Sequence, residues 1–142
     1  MTPTRRRTTT RVLTTLLATV LIGVALVAPA GTAQAAGLKI TGRWVGMVKQ
    51  AGFDDYRVRV RIFRNDAGQL RGRVVYPNQC AGVWKFRKRE NGWTKFTEVI
   101  TDDPGKVSCV PRLGVKAKRV DAKLRIVWTY NGNTSTTLAH RP

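Results

Sequence analysis

Five arginines at alternate positions in two neighbouring segments have the spacing of a surface that binds anions. They are Arg57, Arg59, Arg61, Arg71 and Arg73. Alternate side chains of an extended strand point to the same side, so each segment would present its guanidinium groups together. A guanidinium group holds phosphate or carboxylate through paired hydrogen bonds. We therefore predict an anion-binding face for a cell-wall polymer, nucleic acid or an anionic lipid surface, the alternative being a solvated face without a partner.

The segment between the two groups, residues 65–68, has the composition of a hairpin loop with a bulge. Such a loop would place Arg61 opposite Arg71 and Arg59 opposite Arg73. Like charges directly opposite each other destabilise a sheet, so their presence favours an anionic partner. The five guanidinium groups would then share one patch.

Other residues with the same outward parity extend this pattern. Lys85, Arg87 and Arg89 repeat the alternation of basic residues in a later segment. Phe63 and Trp93 are aromatic residues that could stack on bases or enter a lipid interface. The competing interpretation is that these two rings cap an end of the fold.

Glu98 and His140 fall on the inward parity of their segments and are the only candidates for acid–base chemistry. A Glu/His/Arg set cleaves RNA in small secreted ribonucleases, so a ribonuclease-like enzyme is one alternative function. The competing interpretation buries Glu98 beside an interior arginine such as Arg119 and leaves His140 exposed near the C-terminus. We expect a protein that is not an enzyme. A protein-interaction or inhibitor module acting through a loop at residues 77–81 is the other alternative.

Cys80 and Cys109 are the only two cysteines of the chain. An even number of cysteines in a small exported domain predicts one disulfide. Closing a loop of about thirty residues would stabilise the fold by about 3 to 4 kcal/mol. Two cysteines and the single histidine, His140, are too few for a metal site. We therefore expect neither a metal nor another cofactor.

Residues 1–35 have the features of a secretory signal peptide. Four arginines precede an apolar run over residues 12–28, and the triplet Ala33-Gln34-Ala35 follows it. The triplet predicts cleavage after Ala35, with an uncleaved membrane anchor as the competing interpretation. Residues 36–142 would then be one secreted, extracellular domain, monomeric and without a membrane span. Of the 26 basic residues it would keep 22, against 8 acidic ones, which gives a net charge of +14.

From Lys39 onward the hydrophobic pattern has a period of two residues, which predicts strands rather than helices. Short turn signals such as Asn91-Gly92 and Asn131-Gly132 interrupt it. Eight strands are predicted, at residues 40–49, 55–64, 69–76, 82–89, 93–101, 112–119, 123–130 and 134–141. Sequential hairpins with one apolar face favour an all-β, eight-stranded antiparallel up-and-down barrel over a two-sheet sandwich.

The alternation also predicts which side chains fill the barrel. The large aromatic residues of the inward set are Trp44, Tyr56, Tyr76, Trp84, Phe86, Phe96, Trp128 and Tyr130. A barrel of eight strands encloses room for packed side chains or for one small ligand. An interior crowded with aromatic rings would leave little space for a ligand.

The first and last strands carry a pair of features that resembles barrels of the lipocalin and avidin type. The first strand contains Gly42-Arg43-Trp44, and the last ends in the segment 138–141. In those barrels a cation near the end of the last strand stacks on the early tryptophan. The resemblance implies that Arg141 lies over Trp44 and closes one end of the barrel, a structural role.

A longer series of motifs resembles the small extracellular barrel modules of actinobacterial serine/threonine receptor kinases and their free secreted relatives. The series runs through residues 44–46, 56–58, 72–77, 80–82, 96–101, Cys109 and 138–141. The resemblance implies a bridge between Cys80 and Cys109. It also implies a sensing or binding role outside the cell.

Overall fold

The structure is a computed structural model that describes residues 39–105 and 109–142. All eight predicted strands form there, and this part of the chain contains no helix. The strands are β1 (Gly42–Gln50), β2 (Tyr56–Arg64), β3 (Leu70–Tyr76), β4 (Cys80–Glu90), β5 (Trp93–Asp102), β6 (Arg112–Val120), β7 (Lys123–Tyr130) and β8 (Asn133–Ala139). The predicted leader, residues 1–35, lies outside the described residues. Over the two described ranges, no helix has the length and apolar character needed to cross a membrane.

The strands close into a single antiparallel barrel in chain order, as predicted. Each strand pairs with the next along the chain, and β8 returns to pair with β1. This seam is held by the pairs Lys49/Thr136 and Gln50/Ser135 and by an isolated bridge between Val45 and His140. Closure gives the edge strands partners for their backbone groups, which a sandwich would leave exposed.

Two of the hairpins turn on Asn-Gly pairs that adopt a left-handed backbone. The φ angles are 50° and 76° at Asn91 and Gly92, and 46° and 79° at Asn131 and Gly132. Positive φ at both central residues gives a tight turn whose twist matches that of the flanking strands. The local sequence therefore determines these two connections.

The loop between β2 and β3 is held by its own backbone. The Gly68 N–H donates to the Asn65 carbonyl at 2.8 Å, and the Asn65 N–H donates to the Gln69 carbonyl at 3.0 Å. Gly68 has a φ of 73°, which glycine adopts without strain. The last strand pair before the loop is Arg64/Leu70, so the loop is longer than the predicted 65–68.

This longer loop makes the predicted register of the arginines wrong by two residues. Arg61 lies opposite Arg73, not Arg71, and Arg59 lies opposite Val75. Side chains alternate with a period of two, so a shift of two residues changes the partner but not the face. Each of the predicted arginines therefore still points outward.

The up-and-down topology gives the barrel two different ends. The connections β1–β2, β3–β4, β5–β6 and β7–β8 lie at one end, which we call the open end. The other three connections and residues Lys39 and Pro142 lie at the opposite, closed end. The disulfide joins Cys80 to Cys109 with a Cα–Cα distance of 6.6 Å, which confirms the predicted bridge. It ties the start of β4 to the segment before β6 at the open end.

Most of the predicted inward hydrophobic side chains are buried or half-buried, and two of them are exposed. Phe86 is 39% exposed because β4 contains a register shift between Phe86 and Lys88, although its ring still lies 6.3 Å from that of Phe96. Tyr130 is 44% exposed at the end of β7. The bulge in β4 leaves residues 85–89 exposed in succession, so the predicted alternation of Lys85, Arg87 and Arg89 on one face is lost.

Candidate functional site

The five predicted arginines, which we call the arginine face, all point outward from β2 and β3. Arg71 is half-buried, and Arg57, Arg59, Arg61 and Arg73 are exposed. Arg61, Arg71 and Arg73 gather around a common neighbour, Phe63, whereas Arg57 and Arg59 lie farther along β2.

Three arginines of adjacent strands form a cross-strand row in the arginine face. Arg43 of β1 lies opposite Arg61 of β2, which in turn lies opposite Arg73 of β3. Neighbouring strands are about 4.8 Å apart, so the row brings the backbones of three arginines within about 10 Å. Sequence reasoning missed Arg43, although the inward direction of Trp44 already implied that Arg43 points outward.

Phe63 organises this row. The guanidinium carbon of Arg61 lies 5.5 Å from the centroid of the Phe63 ring, and that of Arg73 lies 5.9 Å from it. Arg71 lies directly opposite Phe63 and donates to the Gln69 side chain at 2.7 Å. An aromatic ring attracts cations without neutralising them, so these contacts position the guanidinium groups and leave their charge available.

The row has no acidic partner within the described residues. Their ion pairs are Lys49 with Asp55, and Glu90 with Lys88 and Lys95. The two lysines lower the pKa of Glu90 to about 2 by hydrogen bonding and by their charge. Acidic side chains are absent from the whole length of β1, β2, β3, β6, β7 and β8. The outer wall is therefore cationic over most of its circumference.

The remaining two arginines of the face have apolar neighbours. Arg59 lies between Val45 and Val75, and Arg57 lies opposite Met47. Val75 is 42% exposed and Met47 is 45% exposed. Arg57 also borders a second surface, which follows the seam between β1 and β8.

This second surface, the seam groove, has a volume of about 770 Å³ and was not anticipated from the sequence. Its basic lining residues are Lys49, Arg57, Lys116, Arg125 and His140. Trp93, which also lines it, lies under two amines: the Lys116 Nζ is 4.9 Å and the Lys118 Nζ 4.6 Å from the ring centroid. Trp93 thus faces outward as predicted. The alternation of Lys116 and Lys118 in β6 is the sequence signal that could have located the groove.

Among the described residues, Glu98 is the only acidic side chain in the barrel interior, where it is 1% exposed. Its Oε2 accepts hydrogen bonds from the Trp84 Nε1 at 2.7 Å and the Trp128 Nε1 at 2.9 Å. Its Oε1 accepts one from the Tyr76 Oη at 2.9 Å. Burial raises the pKa of Glu98, and these three donors oppose that rise. Burial and the nearby carboxylate together raise the pKa of Tyr76 well above its ordinary value.

The structure does not bring Glu98 and His140 together. His140 is exposed on the outside of the wall, because the interior positions of the last strand are Ser135, Thr137 and Ala139. The predicted inward direction of His140 is therefore wrong. Glu98 does not pair with Arg119 either.

The closed end is filled by Trp44 and two cations of the chain itself. Trp44 is 1% exposed and its Nε1 donates to the Ile40 carbonyl at 2.8 Å. The guanidinium carbon of Arg141 lies 4.1 Å from the Trp44 ring centroid, and that of Arg119 lies 4.9 Å from it. Arg141 also donates to the Thr41 carbonyl at 3.0 Å.

Gly42 makes this arrangement possible. Its φ is 125°, and a Cβ at this position would lie 1.6 Å from the Arg141 Nη1. A larger residue would both strain the backbone and displace the guanidinium group. The structure therefore explains the glycine two residues before Trp44 by the space that Arg141 occupies.

The open end contains a cavity of about 700 Å³, which we call the mouth cavity. The expectation that aromatic rings would leave little room for a ligand is wrong at this end. Its aromatic lining residues are Phe53, Tyr56, Tyr76, Trp128 and Tyr130, and its acidic ones are Asp54, Asp55 and Glu98. Across the described ranges, no group of three or more His, Cys, Asp or Glu side chains is placed to hold a metal ion.

Comparison with known proteins gives no matching family model, no matching curated protein and no matching solved structure.

Proposed function

We propose that this chain is an exported, non-catalytic binding module whose cationic outer wall holds an anionic polymer or surface. The N-terminal pattern of residues 1–35 supports export to the extracellular space. The motif resemblance to extracellular receptor-kinase modules supports a sensing or binding role there. The partner classes that match the chemistry of the wall are a phosphate-bearing cell-wall polymer, nucleic acid and an anionic lipid surface.

The observation that carries this proposal is the row formed by Arg43, Arg61 and Arg73. Three like charges directly opposite one another on adjacent strands repel, and each such pair destabilises a sheet. No carboxylate among the described side chains relieves that repulsion. An anion bound across the row would relieve it, because its negative charge offsets the repulsion between the three guanidinium groups. This relief would contribute to the binding free energy.

Phe63 also favours tight binding by this row. Binding an anion immobilises flexible side chains, which costs about 0.5 to 1.5 kcal/mol for each one. Arg61 and Arg73 already rest against Phe63 before a partner arrives, so part of that cost is met in the free protein. The row is therefore a partly ordered site. Elsewhere on the described wall, Lys116 and Lys118 rest against Trp93 in a similar way.

The test compares two variants with the same net charge. In the first, Arg43, Arg61 and Arg73 are each replaced by Thr, which suits an exposed strand position. In the second, the exposed residues Arg87, Arg112 and Lys123 are replaced by Thr. Binding of the purified protein to duplex DNA, to a teichoic-acid-type polymer and to anionic vesicles is measured over a salt series. Neutral vesicles serve as the control surface.

We expect the row variant to bind at least tenfold more weakly than the second variant at physiological salt. For duplex DNA the slope of log affinity against log salt changes by about 0.9 per phosphate contact, so it should fall by about 2 to 3 in magnitude. The polyanion that shows the largest difference identifies the partner class. Equal losses of affinity in both variants would mean that binding depends only on the net charge of the protein, and would overturn the proposal.

A further inference from the structure

The mouth cavity has a composition opposite to that of the outer wall. Among its described lining residues there is no Lys, Arg or His, although the chain as a whole has a net charge of +18. Lys49, which pairs with Asp55 at 3.7 Å, lines the seam groove on the outside of the wall. In a protein this basic, a cavity lined by carboxylates and aromatic rings excludes the polyanions that suit the wall.

Glu98 gives the cavity a negative charge, and the described residues place no cation beside it. Its described partners, Tyr76, Trp84 and Trp128, are all neutral hydrogen-bond donors. An indole N–H can only donate, so the two tryptophans favour the ionised carboxylate, whose charge they stabilise without cancelling. A buried carboxylate that lacks a counter-ion is costly, and a cation entering the cavity would lower that cost.

The aromatic walls offer the second component of a cation site. Tyr76 and Trp128 are buried beside Glu98, Tyr56 is half-buried, and Tyr130 stands at the rim with 44% of its surface exposed. The rings of Tyr56 and Tyr76 meet edge to face with centroids 6.0 Å apart. The face of an aromatic ring attracts cations, and cages of such rings are the usual way in which proteins recognise alkylammonium groups.

At the closed end of the same barrel, an aromatic ring already has cations bound against it. There Arg141 and Arg119 lie within 5 Å of the centroid of the Trp44 ring, so guanidinium groups of the chain fill the aromatic site. The described residues supply no equivalent cation to the mouth cavity. Its volume of about 700 Å³ lies in the range of about 300 to 1,000 Å³ that is typical of small-molecule sites.

We propose that the mouth cavity binds a small organic cation of the alkylammonium class, with Glu98 as its counter-ion and Tyr56, Tyr76, Trp128 and Tyr130 as its aromatic cage. The Oε1 of Glu98 accepts one hydrogen bond at 2.9 Å, from Tyr76, and so keeps acceptor capacity, and Glu98 lines the cavity. This site is separate from the arginine face, and its ligand has the opposite charge. Loss of anion binding by the wall would leave it unaffected.

The test uses choline and its uncharged isostere 3,3-dimethylbutan-1-ol, which have the same shape and differ in charge. Each is titrated into the purified protein at constant ionic strength, with calorimetry for affinity and NMR for location. We expect choline to shift the indole N–H resonances of Trp84 and Trp128 and to leave those of Trp44 and Trp93 in place. The isostere should bind at least tenfold more weakly than choline.

Two variants and one matched control assign the binding to the cavity. Glu98→Gln should weaken choline binding at least tenfold, whereas Asp66→Asn, which removes the same charge at the closed end, should not change it. Tyr130→Leu is the second variant, to be used if Glu98→Gln does not fold. It alters only the exposed rim of the cavity and should preserve the fold. It should weaken choline binding several-fold and leave the isostere unchanged.

Three results would overturn the proposal. Equal binding of choline and its isostere would make the cavity an apolar site without charge selectivity. Equal effects of Glu98→Gln and Asp66→Asn would mean that choline binding depends on the net charge of the protein and not on the carboxylate in the cavity. Failure of choline to move the Trp84 and Trp128 resonances at millimolar concentration would leave the cavity without this class of ligand.

Discussion

The two ends of the barrel use the same kinds of side chain to opposite effect. At the closed end Trp44 is covered by Arg141 and Arg119, which belong to the chain. At the open end Trp128 and the tyrosines surround Glu98, and the described lining of the cavity contains no cation. One end is therefore completed by cations of the fold itself, and the described residues place none in the cavity at the other end.

This difference shows how a strongly basic protein can hold two electrostatic environments. The strands carry their basic residues on the outer face, and the acidic residues lie at connections and strand ends, apart from Glu98 inside. The barrel wall separates Glu98 from the arginines outside. Net charge thus describes the outer wall and says little about the interior.

The largest expected effect concerns the disulfide at the open end. Replacing Cys80 and Cys109 by Ser should lower the free energy of unfolding by about 3 to 4 kcal/mol, because the bond closes a loop of 29 residues in the unfolded chain. Urea unfolding measures the loss. Both cysteines line the mouth cavity, so choline binding should weaken while DNA binding by the outer wall persists. A loss below about 1 kcal/mol would contradict the first part of this prediction.

The next largest effect concerns the closed end. Gly42→Ala should lower stability by about 1 to 3 kcal/mol, because the new Cβ meets the Arg141 guanidinium and the φ of 125° suits only glycine. Gly52→Ala is the matched control, since Gly52 also has a positive φ but has no atom within 4 Å of the added Cβ. Thermal unfolding of both variants separates the steric contact from backbone strain. Equal losses would show that Arg141 does not occupy this space in solution.

A smaller effect is expected from the cation over Trp44. Arg141→Gln should cost about 0.5 to 1 kcal/mol, the usual contribution of an exposed cation–π contact. In this background Gly42→Ala should be less harmful, because the guanidinium that the Cβ would meet is gone. Urea unfolding of the two single variants and the double variant measures the coupling. Strictly additive losses would mean that the two residues do not interact.

The smallest expected effect is on the pH dependence of stability, to which one carboxylate at each end of the barrel contributes. Glu98 has a raised pKa, so its contribution to stability is present below its ordinary value of 4.5 and is lost as the pH rises through its pKa in the folded protein. Glu90, with a pKa of about 2, contributes stability above 4.5 that is lost as the pH falls toward 2. Unfolding free energies of Glu98→Gln and Glu90→Gln between pH 2 and pH 7 measure both slopes.

The two variants should change the pH profile in opposite ways. Glu98→Gln should remove a decline in stability above pH 4.5, and Glu90→Gln should remove a gain between pH 2 and pH 4.5. If Glu98→Gln left the profile unchanged, the carboxylate would not be desolvated in the folded protein. That result would also weaken its assignment as a counter-ion.

Much of the fold could be predicted from local patterns in the sequence. The period-two alternation located all eight strands, and Asn91-Gly92 and Asn131-Gly132 marked their turns because few other residue pairs adopt positive φ at both positions. Alternation also assigned faces correctly for most strands. It failed beyond Phe86, where a bulge adds a residue to β4, and for His140, because the inward positions of β8 are 135, 137 and 139.

Contacts between distant residues could not be predicted in the same way. The loop after Arg64 is longer than its turn signal suggested, and this alone decided that Arg61 faces Arg73 and that Arg43 joins their row. The partners of Glu98 come from β3, β4 and β7, and no local pattern connects them. The competing interpretation that placed Glu98 beside an interior arginine such as Arg119 was wrong about its partner for this reason.

By itself the sequence determined the class of fold, the disulfide and the outward direction of the arginines, because alternation and turn chemistry act over a few residues. Only the tertiary structure decided which arginines share a row, which cations cover Trp44 and where the interior is empty. Those properties depend on register, and on how closure of the barrel brings side chains from non-neighbouring strands to one point. The mouth cavity is the clearest case, because no single strand contains enough of its lining to predict it.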